Sequence, residues 1–245
     1  MISPVLFNSG NLSFESFWDL EAKFLFEGLR YEDRSSVFQP WTEDLNAPYG
    51  NSCLAIAVGD VAGKGCVAAL LASLGVGILR EHAVHQSSSP AEMLADLNGH
   101  LQLPGTNGRF IAMVFASYNP EKHELALANA GLPLSLLVRE KRAVPIEVMG
   151  RPLGLFPETQ YDLVSISLNP GDVVVFCSDG IHEQMNATDE EFGIERLISN
   201  LSEMRTCSTA EQVIGNIMQA VRDHAGEKAY ADSSDDRTIV VLRVT

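Results

Sequence analysis

Between residues 109 and 177 the chain is cut into short apolar runs by turn residues, and this punctuation constrains the fold more than any other feature. RFIAMVFASY, ELALANAG, LSLLV, YDLVSISL and DVVVFC each have the length of a strand, and NPEKH and Asn169-Pro170-Gly171 are turn sequences. Alternation, cleanest in YDLVSISL, gives such strands one buried face, so the segment predicts an antiparallel meander. Two further strands are predicted: SCLAIAV (52–58), which stops at GDVAGKG, and TIVVLRV, directly after SSDDR.

Helical patterns flank this region. CVAALLASLGVGILREHA is apolar nearly all round and predicts a largely buried helix. SPAE then supplies a cap, a first-turn proline and a reciprocal Glu92 for a second helix ending near Leu101. Further helices are predicted over 190–201 and after Ser208, with Glu211 closing a capping box. Near the start, Ser13 precedes Phe14, Phe17, Trp18, Leu25 and Leu29 at spacings of three, four or seven, which predicts an amphipathic helix over 14–29. Residues 30–51 read as irregular. With no repeat and no linker, the pattern predicts a single α+β domain over 1–245, with 1–40 as a helical and irregular extension.

Composition excludes several functions. The 245 residues carry 32 Asp+Glu against 17 Lys+Arg, a net charge of −15, whereas a nucleic-acid binder must neutralise phosphates with Lys and Arg. MISPVLFNSGNLSF lacks a basic start followed by an apolar core, and no stretch approaches about 18 uninterrupted apolar residues; a cytoplasmic protein without membrane insertion is expected. Cys53, Cys66, Cys177 and Cys207 are far apart with no CxxC pair, and the first three read as small buried hydrophobes rather than zinc or redox groups.

The chemistry is carried by acids at strand ends. Asp60 follows the strand 52–58, Asp179 follows DVVVFC, and Asp235 and Asp236 precede TIVVLRV. Taken singly, each has an ordinary explanation in turn chemistry. Taken together, if the final strand runs antiparallel to the other two in one sheet, the acids reach a common edge. Converging carboxylates repel unless a cation compensates them, and oxygen ligands suit Mg²⁺ or Mn²⁺ rather than zinc. GDVAGKG is not a Walker loop: three residues, not four, separate Gly59 from Gly63, and Gly65 and Cys66 follow Lys64 where a Ser or Thr is required. Its glycines read as a tight strand-to-helix turn that aims Asp60 at a metal beside an exposed backbone carbonyl.

In order and spacing, GDVAGKGCVAALL, RFIAMVFASYNPEKHELALANAGLPLSLLV, GRPLGLFPETQYDLVSISLNPGDVVVFCSDGIHE, EEFGIERL and DDRTIVVLRV resemble the SpoIIE-like, RsbU-like branch of the bacterial metal-dependent protein phosphatases, the PPM or type 2C group. The resemblance covers roughly residues 52–245. It implies a four-layer αββα sandwich, two antiparallel sheets flanked by helices, with a two-metal centre. It also implies that Asp60 bridges two Mn²⁺ or Mg²⁺ ions, that the Val61 carbonyl joins one, and that Asp179 and Asp235 hold the other. Gly63 and Gly65 shape the turn, Gly180 gives the backbone room beside the metal, and Asp236 is a neighbour with a weaker claim to direct ligation. Upstream, where the family carries a GGDxYD-like strand, this chain reads VFQPWTEDLNAPYG, and spacing back from Asp60 leaves Glu43, ahead of Asp44, for that acidic place. The family's Thr after SDG-x is His182 here, which either reaches the substrate or satisfies a backbone carbonyl.

The expected reaction is one-step hydrolysis of phosphoserine or phosphothreonine on a protein, with the general acid left open between His182 and a metal-bound water. The resemblance implies a STAS-type anti-sigma antagonist as substrate in a partner-switching pathway. About 50 residues precede the first metal strand, fewer than the roughly 100 of an ordinary sensor domain, so the 14–29 helix is a candidate contact for a separate sensor, a regulator or a homodimer. Packing on its own domain is the equal alternative. The rival functions are a catalytically weak phosphatase-like binding module and, on GDVAGKG alone, a nucleotide-binding enzyme.

Overall fold

The computed structural model describes residues 5–8, 21–27, 54–64, 66–85, 88–102, 108–204, 209–232 and 237–244. The chain divides into two compact units, one of residues 14–132 and 148–168, the other of residues 1–13, 133–147 and 169–245.

The first unit is built on a five-stranded antiparallel sheet in the order β2 (Glu21–Glu27), β3 (Leu54–Lys64), β4 (Ile111–Asn119), β5 (Glu124–Ala130), β8 (Val164–Ser167). The β4–β5 hairpin closes at the NPEKH turn, where the Asn119 side chain accepts from the N–H groups of Glu121 and Lys122, an Asx-type turn. Helices α1 (Cys66–His85) and α2 (Pro90–His100) belong to this unit, and their apolar faces join Phe115, Met113, Ala128 and Leu153 in one core. The cap of α2 forms as predicted: the Ser89 N–H donates to Glu92 at 2.7 Å, and the Glu92 N–H donates back to Ser89 Oγ at 3.4 Å.

The second unit carries the other five-stranded sheet, β1 (Val5–Asn8), β10 (Thr238–Arg243), β9 (Val173–Cys177), β6 (Leu136–Arg139), β7 (Arg142–Pro145), all antiparallel. Helices α3 (Asp179–His182), α4 (Gly193–Ser202) and α5 (Ala210–Asp232) complete it, and Leu197, Leu201, Val213, Ile217 and Val221 pack with Val175, Ile239 and Val241. At the turn into β9, the buried carboxylate of Asp172 accepts from the Asn169 N–H at 2.7 Å and from Arg139 Nη2 at 2.6 Å. Asp172→Ala removes the acceptor of that N–H and one partner of the guanidinium. A loss of about 2–3 kcal/mol in urea unfolding is expected, below the range for a fully buried pair because Arg139 is partly exposed.

Several expectations are corrected. Residues 21–27 form strand β2, not part of a helix: EAKFLFE alternates as well as it repeats at helical spacing, and backbone pairing with β3, Phe24 opposite Gly59, decides for the strand. The contact for a sensor, regulator or homodimer read onto a 14–29 helix loses its basis, and the helical extension over 1–40 contributes strands to both sheets. Strand β3 does not stop at Gly59 but continues through Asp60 to Lys64 because β4 pairs with it as far as Val61 opposite Ile111. Helix α1 is not largely buried: Leu70 is 70% exposed, and Val67, Leu74 and Cys66 also face outward. Helix α4 begins at Gly193 rather than Glu190, since Glu191 bridges Met185 and the Glu190 N–H is held by Asn186. The cap of α5 is Thr209 rather than Ser208, with Thr209 and Gln212 bonding reciprocally at 2.9 and 3.3 Å.

Candidate functional site

Asp60 lies within β3, opposite Ala112 on one side and Lys23 on the other. Just beyond it the ladder to β2 is interrupted: Lys23 faces Asp60, but Glu21, two residues earlier, faces Lys64, so residues 61–63 oppose Ala22 alone. On the other flank, the Ala62 N–H donates to the Phe110 carbonyl at 2.9 Å, while Ile111 exchanges both its backbone bonds with Leu153. Val61 and Ile111 are therefore a non-hydrogen-bonded pair, and the Val61 carbonyl turns away from β4 into the interrupted stretch. The carbonyl beside Asp60 thus comes from a bulge rather than from the tight turn expected. Gly63 holds φ +96° there, a conformation that an L side chain rarely adopts.

In the other unit, β9 ends in Cys177 and the chain passes through Ser178 into the single turn of α3, which begins with Asp179. Ser178 is buried, and its hydroxyl accepts the Thr238 N–H at 3.0 Å while its own N–H donates to the Thr238 carbonyl at 3.0 Å. The half-buried Asp179 accepts the Gly180 N–H on Oδ1 at 2.8 Å, and Gly180 itself is buried beside it. The antiparallel β9–β10 pair, Cys177 opposite Ile239, puts the end of β9 and the start of β10 at one edge. That part of the strand-end argument holds. Its single-sheet premise does not, because β3 belongs to the other sheet.

His182 closes α3. Its Nε2 is buried without a hydrogen-bond partner among the described residues, so it does not satisfy a backbone carbonyl through that atom. Burial pushes the imidazole below its usual pKa, against the opposing pull of Asp179. A group neutral in the fold stabilises it above the unfolded value of 6.5, and this contribution is lost as pH falls through the lower folded value. In the metal-free protein, His182→Gln should flatten the fall in melting temperature as the pH is lowered from 6.5. An unchanged pH profile would contradict this.

Glu43, Asp44, Gly65, Asp235 and Asp236 lie outside the described residues. Among the described residues, no three His, Cys, Asp or Glu side chains gather in a group able to hold a metal ion. Each unit offers oxygen donors of the kind that suits a hard divalent cation: the Asp60 carboxylate and the Val61 carbonyl released from its ladder in one, the Asp179 carboxylate in the other. The Cys177 thiol is buried and pushed up to about 12 by desolvation, which removes the thiolate that a cysteine nucleophile needs.

The two antiparallel sheets with their helices define a fold shared with solved PP2C phosphatase domains. Similarity covers 100% of this chain and 63% of the PP2C domain and regulatory fragment of SpoIIE from Bacillus subtilis, with TM-score 0.74 and 16% identity. It also covers 100% of this chain and 96% of RsbX in complex with magnesium, with TM-score 0.64 and 14% identity. A family profile described as Stage II sporulation protein E (SpoIIE) matches residues 50–245, and the chain belongs to that family. Phosphoserine phosphatase RsbU of Bacillus subtilis strain 168 is 30% identical over 193 residues, 77% of this chain; the chain spans 55% of RsbU's length. Among the described residues, no helix is long and apolar enough to cross a membrane.

Proposed function

We propose that residues 1–245 form one phosphatase domain, a metal-dependent serine/threonine protein phosphatase that acts on a STAS-type anti-sigma antagonist. The observation that carries this reading is the SpoIIE family match over residues 50–245, a span that contains Asp60, Asp179 and Asp235, the acids that the resemblance implies as metal ligands. Likeness to a phosphoserine phosphatase supports the substrate chemistry, and likeness to a magnesium-bound relative supports the cation.

Asp60, the Val61 carbonyl, Asp179 and Asp235 would be the ligands, as the family resemblance implies, with Asp236 the next residue in sequence. Two Mn²⁺ or Mg²⁺ ions held there would acidify a water and offset charge on the phosphoryl oxygens. The protein's own contribution is to hold carboxylates on paired or hydrogen-bonded backbone, Asp60 within β3 and Asp179 at the start of α3, so that little reorganisation accompanies the reaction. No side-chain nucleophile is required, in keeping with the inert Cys177. His182, neutral near pH 7, serves as a hydrogen-bonding group rather than as the proton donor to the departing seryl oxygen.

The substrate class is tested with phosphorylated antagonist proteins from the same genome, assayed beside an aryl phosphate and an unrelated phosphoserine protein. A kcat/KM at least about a hundredfold higher on one antagonist, about 2.7 kcal/mol of extra transition-state binding, is expected. Equal rates on all three would overturn the antagonist assignment. Tight binding of the antagonist without turnover would favour the docking module instead.

A further inference from the structure

The second unit buries a cation that the chemistry above does not use. Arg237, 5% exposed, lies directly after Asp235 and Asp236 and directly before β10. Its Nε and Nη2 donate to Gln184 Oε1 at 3.0 and 2.5 Å, Nη2 also donates to the Tyr230 carbonyl at 2.9 Å, and the guanidinium sits 4.0 Å from the Tyr230 ring centroid. Among the described residues no carboxylate pairs with it. A buried guanidinium held by neutral acceptors and an aromatic face keeps its full charge, an expensive arrangement unless the charge or the geometry serves something nearby.

What is nearby is fixed by the chain. Gln184 is also buried and donates through Nε2 to the Met185 carbonyl at 2.9 Å, while its own carbonyl accepts from the Phe192 N–H at 2.9 Å, so it is an anchored acceptor. It follows the turn that begins at Asp179, five residues on. Arg237 therefore ties the segment after Asp179 to the segment after Asp235 and Asp236. The Ser178 hydroxyl on the Thr238 N–H makes a second tie on the other side of Asp179. These two ties flank Asp179 on both sides.

We propose that Arg237, through its forked contact with Gln184, is a positioning residue that holds Asp179 in place for divalent-cation binding. This rests on the metal-dependent phosphatase reading. The planar fork matters as much as the charge, because a lysine ammonium cannot give two donors to one amide oxygen and a third bond to Tyr230 in the same fixed plane.

The test is calorimetric titration of the full chain with Mn²⁺, together with the melting temperature of the metal-free protein, for wild type, Arg237→Lys and Gln184→Leu. Expected is a Kd for Mn²⁺ raised about tenfold in both variants, measured at a temperature where melting shows the metal-free protein of each to be folded. Tenfold corresponds to about 1.4 kcal/mol. Unchanged Mn²⁺ affinity in the variants overturns the proposal, including where melting falls, since that marks a purely structural contact. Should Arg237→Lys not fold, Gln184→Leu decides alone, because it keeps the arginine and removes the side-chain acceptor of its fork, together with the Nε2 bond to the Met185 carbonyl. Absence of Mn²⁺ binding by the wild type would instead overturn the metal-dependent reading itself, so the two failures are distinct.

Discussion

Asp179→Asn is expected to lower metal-dependent phosphatase turnover by about a thousandfold or more while leaving the fold intact. A thousandfold corresponds to about 4 kcal/mol of lost transition-state stabilisation. The amide keeps an oxygen that can accept the Gly180 N–H now held at 2.8 Å, so the start of α3 does not lose its local bond. What it loses is the negative charge that attracts a divalent cation. In the metal-free protein the substitution keeps the Gly180 bond, so the melting temperature without metal should stay close to that of the wild type. Asp60→Asn should behave in the same way, because β3 is held through backbone pairing on both sides of that residue. Cys177→Ala should keep turnover within a few-fold. Steady-state kinetics with Mn²⁺ and paired melting curves check all three, and Asp179→Asn activity within tenfold of wild type would remove Asp179 from the site.

Gly150→Ala should have the largest effect on stability. An added Cβ would lie 2.0 Å from the Asn129 carbonyl oxygen and 2.9 Å from Tyr161 Cδ1, closer than carbon and oxygen can approach. The obstacle is backbone, and it is pinned: the Asn129 side chain accepts the Leu132 N–H at 3.0 Å and donates to the Leu132 carbonyl at 2.9 Å, while its backbone is opposite Val114 in the sheet. With no flexible group to move aside, the clash exceeds ordinary overpacking, and a loss of at least about 3 kcal/mol is expected. At about 2–4 °C per kcal/mol for a chain of this size, melting should fall by roughly 6–12 °C. Gly77→Ala in α1, where an added Cβ meets nothing within 4 Å, is the matched control and should raise stability by about 0.5–1 kcal/mol. A Gly150→Ala protein that melts with the wild type would show that the Asn129 strand end can yield.

The elements most legible in the sequence are those where local pattern and tertiary environment agree. Strands β4, β5, β6, β9 and β10 and helices α1 and α2 fall on the apolar runs and the cap that predict them. Where the two part, the pattern misleads. EAKFLFE fits both periods, and only its pairing with β3 settles it. VLFN is four residues long, too short for periodicity to register, and RAVP is equally short and ends in proline, as an edge strand allows. In STAEQ both Ser208 with Glu211 and Thr209 with Gln212 match a capping box, and a one-residue offset is invisible without the bonds. Asp60 and Asp179 are legible because each follows an apolar run at a glycine-marked break in the sequence. Sheet membership leaves no such mark, so three strands that read as one sheet are divided by the fold between its two. Arg237 carries a signal that spacing arguments about acids pass over: a charged residue between an acidic pair and a wholly apolar strand must be either solvated or held, and here it is held.

The central claim, that this chain removes phosphate from a phosphoprotein with the help of divalent cations and without a covalent phosphoenzyme, is tested most directly by one measurement. Phosphate release from a serine-phosphorylated protein is followed under single-turnover conditions with Mn²⁺, after chelation, and after reloading. Release that stops on chelation, returns on reloading and leaves no phosphate on the enzyme is the predicted result. Release that persists through chelation, or phosphate trapped on the enzyme, would contradict it.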